Sequence, residues 1–212
     1  MPSRLNNRRG VYLITPDTTD TGRLLERLIP LLEAAPALVQ YRNKCADRAL
    51  RQTQAAAVLA CCQSHGIPLL INDDWALANA LGADGVHLGQ TDGDPVQARE
   101  ALGPQAIIGV SCYDSLHRAR QMAALDIDYL AFGAVFPSNT KPDAARADLS
   151  LFAEAKTLGK ATVAIGGIRP DNCAQVRAAG ADFIAVISGI FDDEHPTRAL
   201  RAYQSTFSKA LP

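Results

Sequence analysis

Residues 71 to 92, INDDWALANALGADGVHLGQTD, decide the fold. An apolar run closes at Ile71 and an acidic turn follows, Asn72, Asp73 and Asp74. A short Ala- and Leu-rich segment of helical character, WALANALG, leads to a second apolar run through Val86 and Leu88, which ends in a second acidic turn at Gln90, Thr91 and Asp92. Strand, helix and strand in that order make a βα unit. Near-continuous apolar strands are those buried on both faces of a parallel sheet. Two such strands deliver their acids to the same edge, which poses the functional question of what needs two carboxylates there.

Outward from this unit the pattern repeats. Strands are predicted at 11–16, 37–42, 68–73 and 85–90, then at 106–112, 129–136, 162–168 and 183–191, with helical connectors such as LRQTQAAAVLACCQ between them. Eight βα units predict an α/β fold, a single-domain (β/α)8 TIM barrel over residues 11–212 preceded by a flexible N-terminal arm at 1–10. An open doubly wound sheet shares the local pattern, but its usual GxGxxG turn does not follow the first strand, where ITPDTTDTG stands instead. The triplet GAD recurs at 82–84 and 180–182, each time just before a strand. The one other long loop is PSNTKPDAARAD (137–148), after the sixth strand.

Composition narrows the classes. The chain has 212 residues, 48% of them apolar, and a net charge of −1, enough for one large core and without the basic stripe expected of a nucleic-acid reader. No apolar stretch approaches the roughly 18 residues of a membrane span, and the opening MPSRLNNRRG has no signal-peptide centre. Five cysteines without a CxxC pair argue for reduced thiols and a cytoplasmic location. Self-association into a homo-oligomer is left open by composition.

In a parallel barrel the C-terminal strand ends converge on one face. The second strand ends in QYRNK, whose alternation sends Gln40, Arg42 and Lys44 one way if the chain stays extended. Asp73 or Asp74 with Asp92 make a carboxylate pair suited to Mg²⁺, which binds one or two acids and keeps the remainder of its shell for water and phosphate. One of the adjacent aspartates is expected to cap the following helix instead. Ser111 is a donor after the fifth strand, and Ser138, Thr140 and Lys141 are donors in the long loop. Gly167 after the seventh strand, and Ile187 and Ser188 after the eighth, lie where barrels bind phosphate through bare N–H groups. Cys45 and Cys112 lack a paired base, and His87 is read as a packed, hydrogen-bonded barrel residue. Cations beside a metal pair, with a separate monophosphate site, point to a transfer in which diphosphate leaves.

The ordered motifs QYRNK, IND with GADGVHLGQTD, GVS, TK, AIGGI and VIS resemble the thiamine-phosphate synthase family, from Val11 to about Ile190. That resemblance implies a (β/α)8 barrel joining 4-amino-2-methyl-5-hydroxymethylpyrimidine diphosphate to a thiazole phosphate, with Mg²⁺ as cofactor and small molecules as partners. It implies that Gln40, Arg42, Lys44, Asn72, Ser111 and Lys141 bind the pyrimidine diphosphate, with Arg42, Lys44, Ser111 and Lys141 catalytic. Asp73 and Asp92 become the metal ligands, and Ser138, Thr140, Gly167, Ile187 and Ser188 hold the thiazole phosphate. Tyr41, Asn43 and Asn139 join the substrate-contacting set through the same motifs. The resemblance implies that the pyrimidine ionises before the thiazole nitrogen attacks, so no protein nucleophile is required. Two positions depart from the pattern: Ser138 stands where Thr is frequent and Ala134 where Pro is frequent. The alternatives are a thiazole tautomerase-like relative, which relies on a histidine at the mouth, and a non-catalytic sensor of phosphate ligands.

Overall fold

The computed structural model describes residues 4–5, 8–137 and 146–208. Eight parallel strands close a barrel in chain order: β1 (Gly10–Ile14), β2 (Leu38–Tyr41), β3 (Leu69–Asn72), β4 (Gly85–Leu88), β5 (Ile107–Tyr113), β6 (Tyr129–Phe132), β7 (Ala161–Ile165) and β8 (Phe183–Val186), with β8 pairing back to β1. The described helices outside it are α1 (Thr21–Glu33), α2 (Arg48–Ser64), α3 (Trp75–Leu81), α4 (Pro95–Leu102), α5 (Leu116–Ala123), α6 (Ser150–Lys156), α7 (Cys173–Ala178), α8 (Ser188–Phe191) and α9 (Pro196–Ser208).

Alternation along each strand divides the core in two. Tyr12, Ile14, Leu38, Leu70, Ile107, Tyr129, Val163 and Phe183 fill the barrel interior, whereas their neighbours Val11, Leu13, Val39, Tyr41, Leu69 and Ile71 pack outward against the helices. The helices answer with apolar faces. In α1, Leu24, Leu28, Leu31 and Leu32 are the buried positions, at the 3.6-residue spacing, and Asp20 caps the start by accepting from the Arg23 N–H.

Every strand but β5 ends earlier than its apolar run. The run 183–191 breaks at Val186, and its last four residues form α8; the sixth strand stops at Phe132. A short apolar run does not distinguish a buried strand from a buried helical turn, which is why the sequence overextends both. The N-terminal arm also differs from expectation at its described residues. Leu5 is 2% exposed and joins the interior cluster, and Arg4 bonds Asp126 and Asp128 on the barrel floor.

The GAD triplets have a structural purpose. Asp84 accepts from the Leu69 N–H at the start of β3, and Asp182 accepts from the Thr162 N–H in β7, both across to the preceding strand. Asp128 does the same for Ile108 in β5. Three even-numbered strands are thus each preceded by an aspartate that ties off the odd strand before it. Ala37, before β2, keeps only the backbone half of this arrangement.

Candidate active site

The C-terminal strand ends collect the polar residues. Asp74 caps α3, accepting from the Leu77 N–H at 2.8 Å, which releases Asp73 for the mouth. Asp73 adopts a left-handed backbone (φ 64°), a conformation costly for most residues and better tolerated by Asp, and its N–H is held by the His87 carbonyl at 2.8 Å. Its carboxylate lies 3.4 Å from Lys44 Nζ. Asp92 is anchored by the Gly89 N–H at 3.0 Å and faces Asp73. Burial, then the hydrogen bond and charge of Asp73, push the Asp92 carboxyl above the usual carboxylate range, against the pull of Gly89 N–H and Lys44.

Two acids held face to face are short of positive charge, and Lys44 alone ion-pairs with this pair among the described residues. Among those residues no cluster of three or more His, Cys, Asp or Glu side chains is placed to share a metal. A pair of hard oxygen donors at the end of adjacent strands fits Mg²⁺, which dehydrates reluctantly and takes its other ligands from water and phosphate.

On the neighbouring strand the chain leaves β-geometry after Tyr41, so the three residues Gln40, Arg42 and Lys44 separate. Gln40 turns into the barrel. Arg42 Nη1 sits 3.1 Å from both Asp17 oxygens, and the Lys44 N–H donates to Asp17 at 2.7 Å. Asp17 was not singled out from the sequence; its place right after β1, in TPDTTD, is the available signal. Thr15, fully buried, pins the same segment by accepting from the Arg42 N–H and donating to the Arg42 carbonyl, both at 2.9 Å.

Tyr41 and Asn43 face away from the barrel interior. Strand alternation points Tyr41 outward, where its hydroxyl donates to Gln54 on α2 at 2.9 Å; Asn43 donates to Gln54 and to the Thr18 carbonyl, and accepts from the Cys45 and Ala46 N–H groups. Their polar atoms are committed to shaping the loop that carries Arg42 and Lys44. A cavity of about 240 Å³ is lined here by Tyr41, Asn43, Lys44, Arg51, Asn72, Asp73 and Asp74 among others, so Asn72 and Asp73 open to solvent-accessible space.

Inside the mouth a run of polar groups crosses the barrel. Gln40 Nε2 donates to Tyr12 OH at 2.7 Å, Tyr12 OH meets Tyr129 OH at 2.9 Å, Tyr129 OH meets His87 Nδ1 at 2.9 Å, and His87 Nε2 meets Ser111 Oγ at 2.9 Å. Burial lowers His87 to about 4, with Asp92 opposing, so its ring is neutral near pH 7. His87 is therefore the packed, bonded residue that its sequence position implies. Cys112 is fully buried and its thiol is pushed up to about 12, which removes it as a nucleophile.

On the far side of the mouth Gly167 has φ 63°, and a Cβ there would lie 2.4 Å from the Pro137 carbonyl oxygen, so only glycine fits. Ile187 and Ser188 stand at the start of α8. Ser138, Asn139, Thr140 and Lys141 lie outside the described residues.

A closed parallel barrel with an acid pair, basic side chains and polar strand ends at its C-terminal face defines a (β/α)8-barrel enzyme acting on anionic small molecules. The family model described as thiamine monophosphate synthase matches residues 11–190, and the chain belongs to that family. It is 54% identical over 209 residues to the thiamine-phosphate synthase of Xanthomonas campestris pv. campestris (strain 8004), covering 99% of this chain and all of the relative. It is 52% identical over 204 residues to that of Xylella fastidiosa (strain 9a5c), covering 96% and 87%. The thiamine phosphate pyrophosphorylase structure from Pyrococcus furiosus superposes with a TM-score of 0.85 at 29% identity, covering 97% of this chain and 98% of that one.

Proposed function

We propose that this mouth condenses 4-amino-2-methyl-5-hydroxymethylpyrimidine diphosphate with a thiazole phosphate, forming thiamine phosphate and diphosphate. The carrying observation is the Asp73–Asp92 pair beside Lys44, a charge arrangement that calls for a divalent cation and a polyanion. Asp73 and Asp92 would hold Mg²⁺, whose charge offsets that of the diphosphate when bound. Arg42, Lys44 and Lys141 bind the departing diphosphate, with Asn72 beside them. As the bond between the methylene carbon and the diphosphate oxygen breaks, its electron pair leaves with diphosphate; the thiazole nitrogen then supplies the pair for the new C–N bond. Positioned cations favour the first event because charge grows on the leaving oxygen.

Gln40 and Ser111 hold the pyrimidine. Gly167, Ile187, Ser188 and the loop residues Ser138, Asn139 and Thr140 hold the thiazole phosphate. In this reading Arg42 exchanges Asp17 for the diphosphate on binding, while Tyr41 and Asn43 act on substrate only through the loop they shape. The tautomerase-like and sensor readings are not favoured, since the similar proteins are named thiamine-phosphate synthase or thiamine phosphate pyrophosphorylase. The five cysteines are free thiols, the state a reducing cytoplasm maintains, and among the described residues no helix is long and apolar enough to cross a membrane.

Mixing both substrates with the purified protein is expected to release diphosphate in the presence of Mg²⁺ and to stop on chelation. Lys141→Ala should lower kcat by about a hundredfold, since a charge-assisted contact to a leaving anion acts on the transition state. Diphosphate release that ignores both Mg²⁺ and the thiazole phosphate would overturn the proposal.

A further inference from the structure

The polar run through the barrel has a direction, and its direction selects a ligand. Gln40 Nε2 is a donor, so Tyr12 OH accepts. Tyr12 is 1% exposed, and its one proton has Tyr129 OH as its remaining partner among the described residues. Tyr129, fully buried, then has its own proton for His87 Nδ1, which must accept. Neutral His87 consequently carries its hydrogen on Nε2 and donates to Ser111 Oγ. With Gln40 donating, reversing the later links would strand the Tyr12 proton in the interior, a buried donor without a partner.

The two ends are thereby made unlike. Gln40 uses its N–H inward and keeps Oε1, which has no partner among the described residues, as an acceptor. Ser111 spends a lone pair on His87 and keeps its hydroxyl proton as a donor. Strand register builds the middle of this run. His87, Gly109 and Tyr129 are successive partners across β4, β5 and β6. Gly109 leaves the gap that the Tyr129 ring fills, since a Cβ there would lie 1.8 Å from Tyr129 Cζ, and the ring stacks on His87 at 5.7 Å and 13°.

We propose that Tyr12, Tyr129 and His87 are positioning residues that set Gln40 as acceptor and Ser111 as donor, and so make the enzyme select a 4-aminopyrimidine over its 4-oxo counterpart. An aminopyrimidine edge offers an amino N–H beside a ring nitrogen lone pair, which complements an acceptor and a donor. The 4-oxo lactam offers a carbonyl beside a ring N–H, the reverse pattern, and is admitted only if all four links invert together. This deepens the condensation reading above and rests on it.

The test compares kcat/KM for the 4-amino pyrimidine diphosphate and its 4-oxo analogue in the wild type, Tyr129→Phe and Tyr12→Phe, each at saturating thiazole phosphate and Mg²⁺. Tyr129→Phe keeps the ring and cuts the run in the middle; Tyr12→Phe separates Gln40 from the rest of the run, since Tyr12 OH bonds both Gln40 and Tyr129. The wild type is expected to favour the amino compound by at least about a thousandfold, because a polar site matched to one pattern leaves groups unpaired with the other. In each variant that ratio should shrink at least tenfold. If both substrates lose kcat/KM in parallel, leaving the ratio within twofold, the run only packs the barrel and the proposal fails. Equal use of both compounds by the wild type also overturns it, without recourse to a variant. No diphosphate release from the amino compound by the wild type would instead sink the condensation reading.

Discussion

The two ends of the barrel treat their aspartates in opposite ways. On the floor, Asp126 takes both terminal nitrogens of Arg4 at 2.9 Å, and Asp128 lies 3.0 Å from Arg4 and from Arg99. Arg99 also donates to the Gly103, Ala106 and Asp126 carbonyls, joining β5 and β6 to α4. Hydrogen bonding to Arg4 holds the Asp126 carboxyl below its ordinary value. At the mouth, Asp92 is pushed up instead, by burial first and then by the hydrogen bond and charge of Asp73. The floor is electrostatically closed and the mouth is left short of cations. Such a difference separates an end built for stability from one that spends stability on a ligand.

Asp128→Ala should break the floor most severely. Its carboxylate is 6% exposed and serves two arginines and the Ile108 N–H, so its loss is expected to cost about 3–5 kcal/mol in chemical denaturation. The surviving folded fraction should keep kcat within about twofold. Large loss of activity at full stability would show that the floor and the mouth are not separable.

Asp92→Ala is the converse. Activity at limiting Mg²⁺ should fall about a hundredfold or more, while metal-free stability stays equal or rises, since the variant no longer sets two carboxylates against each other. Near-normal turnover at low Mg²⁺ would remove Asp92 from the metal site.

Gly89→Ala sharpens the comparison without changing a charge. A Cβ at this position would lie 2.2 Å from Asp92 Oδ2, so the carboxylate must move. The expected effect is about a tenfold rise in the Mg²⁺ concentration needed for half-maximal rate, with melting temperature almost unchanged, because a side-chain end yields more cheaply than backbone. An unaltered metal requirement would mean that the Asp92 position is loosely specified.

The smallest effect is in pH dependence, and its sign differs between the ends. In the metal-free protein Asp92 has a folded-state value raised above 3.8, so the folded chain holds its proton longer. Its contribution to stability is therefore lost as pH rises from about 3.8 through the raised value. Asp126 is lowered, so its contribution is present above 3.8 and lost as pH falls toward the lower folded value. Subtracting the denaturation curves of Asp92→Asn and Asp126→Asn from wild type, between pH 3 and 7, should give slopes of opposite sign. For the half-exposed Asp126 the amplitude should stay under about 1 kcal/mol. Slopes of the same sign would erase the contrast.

Local pattern in the chain was enough for much of this. Buried-strand runs alternating with helical connectors dictated the parallel barrel, and the turn after each strand dictated which residues reach its mouth, since a strand end has one place to go once the sheet closes. The motifs between Val11 and about Ile190 carried the family. Tertiary structure decided what depends on neighbours distant in sequence. Asp73 and Asp74 are chemically identical, and only the start of α3 and the His87 carbonyl assign one to the cap and the other to the mouth. Tyr41 points away from the barrel interior because the sheet has two faces, a choice invisible in QYRNK until register is set. The run from Gln40 to Ser111 draws its five residues from β2, β1, β6, β4 and β5, and no spacing along the chain announces it. Closure of the barrel makes those side chains meet, and their burial leaves each polar group with the others as its partners.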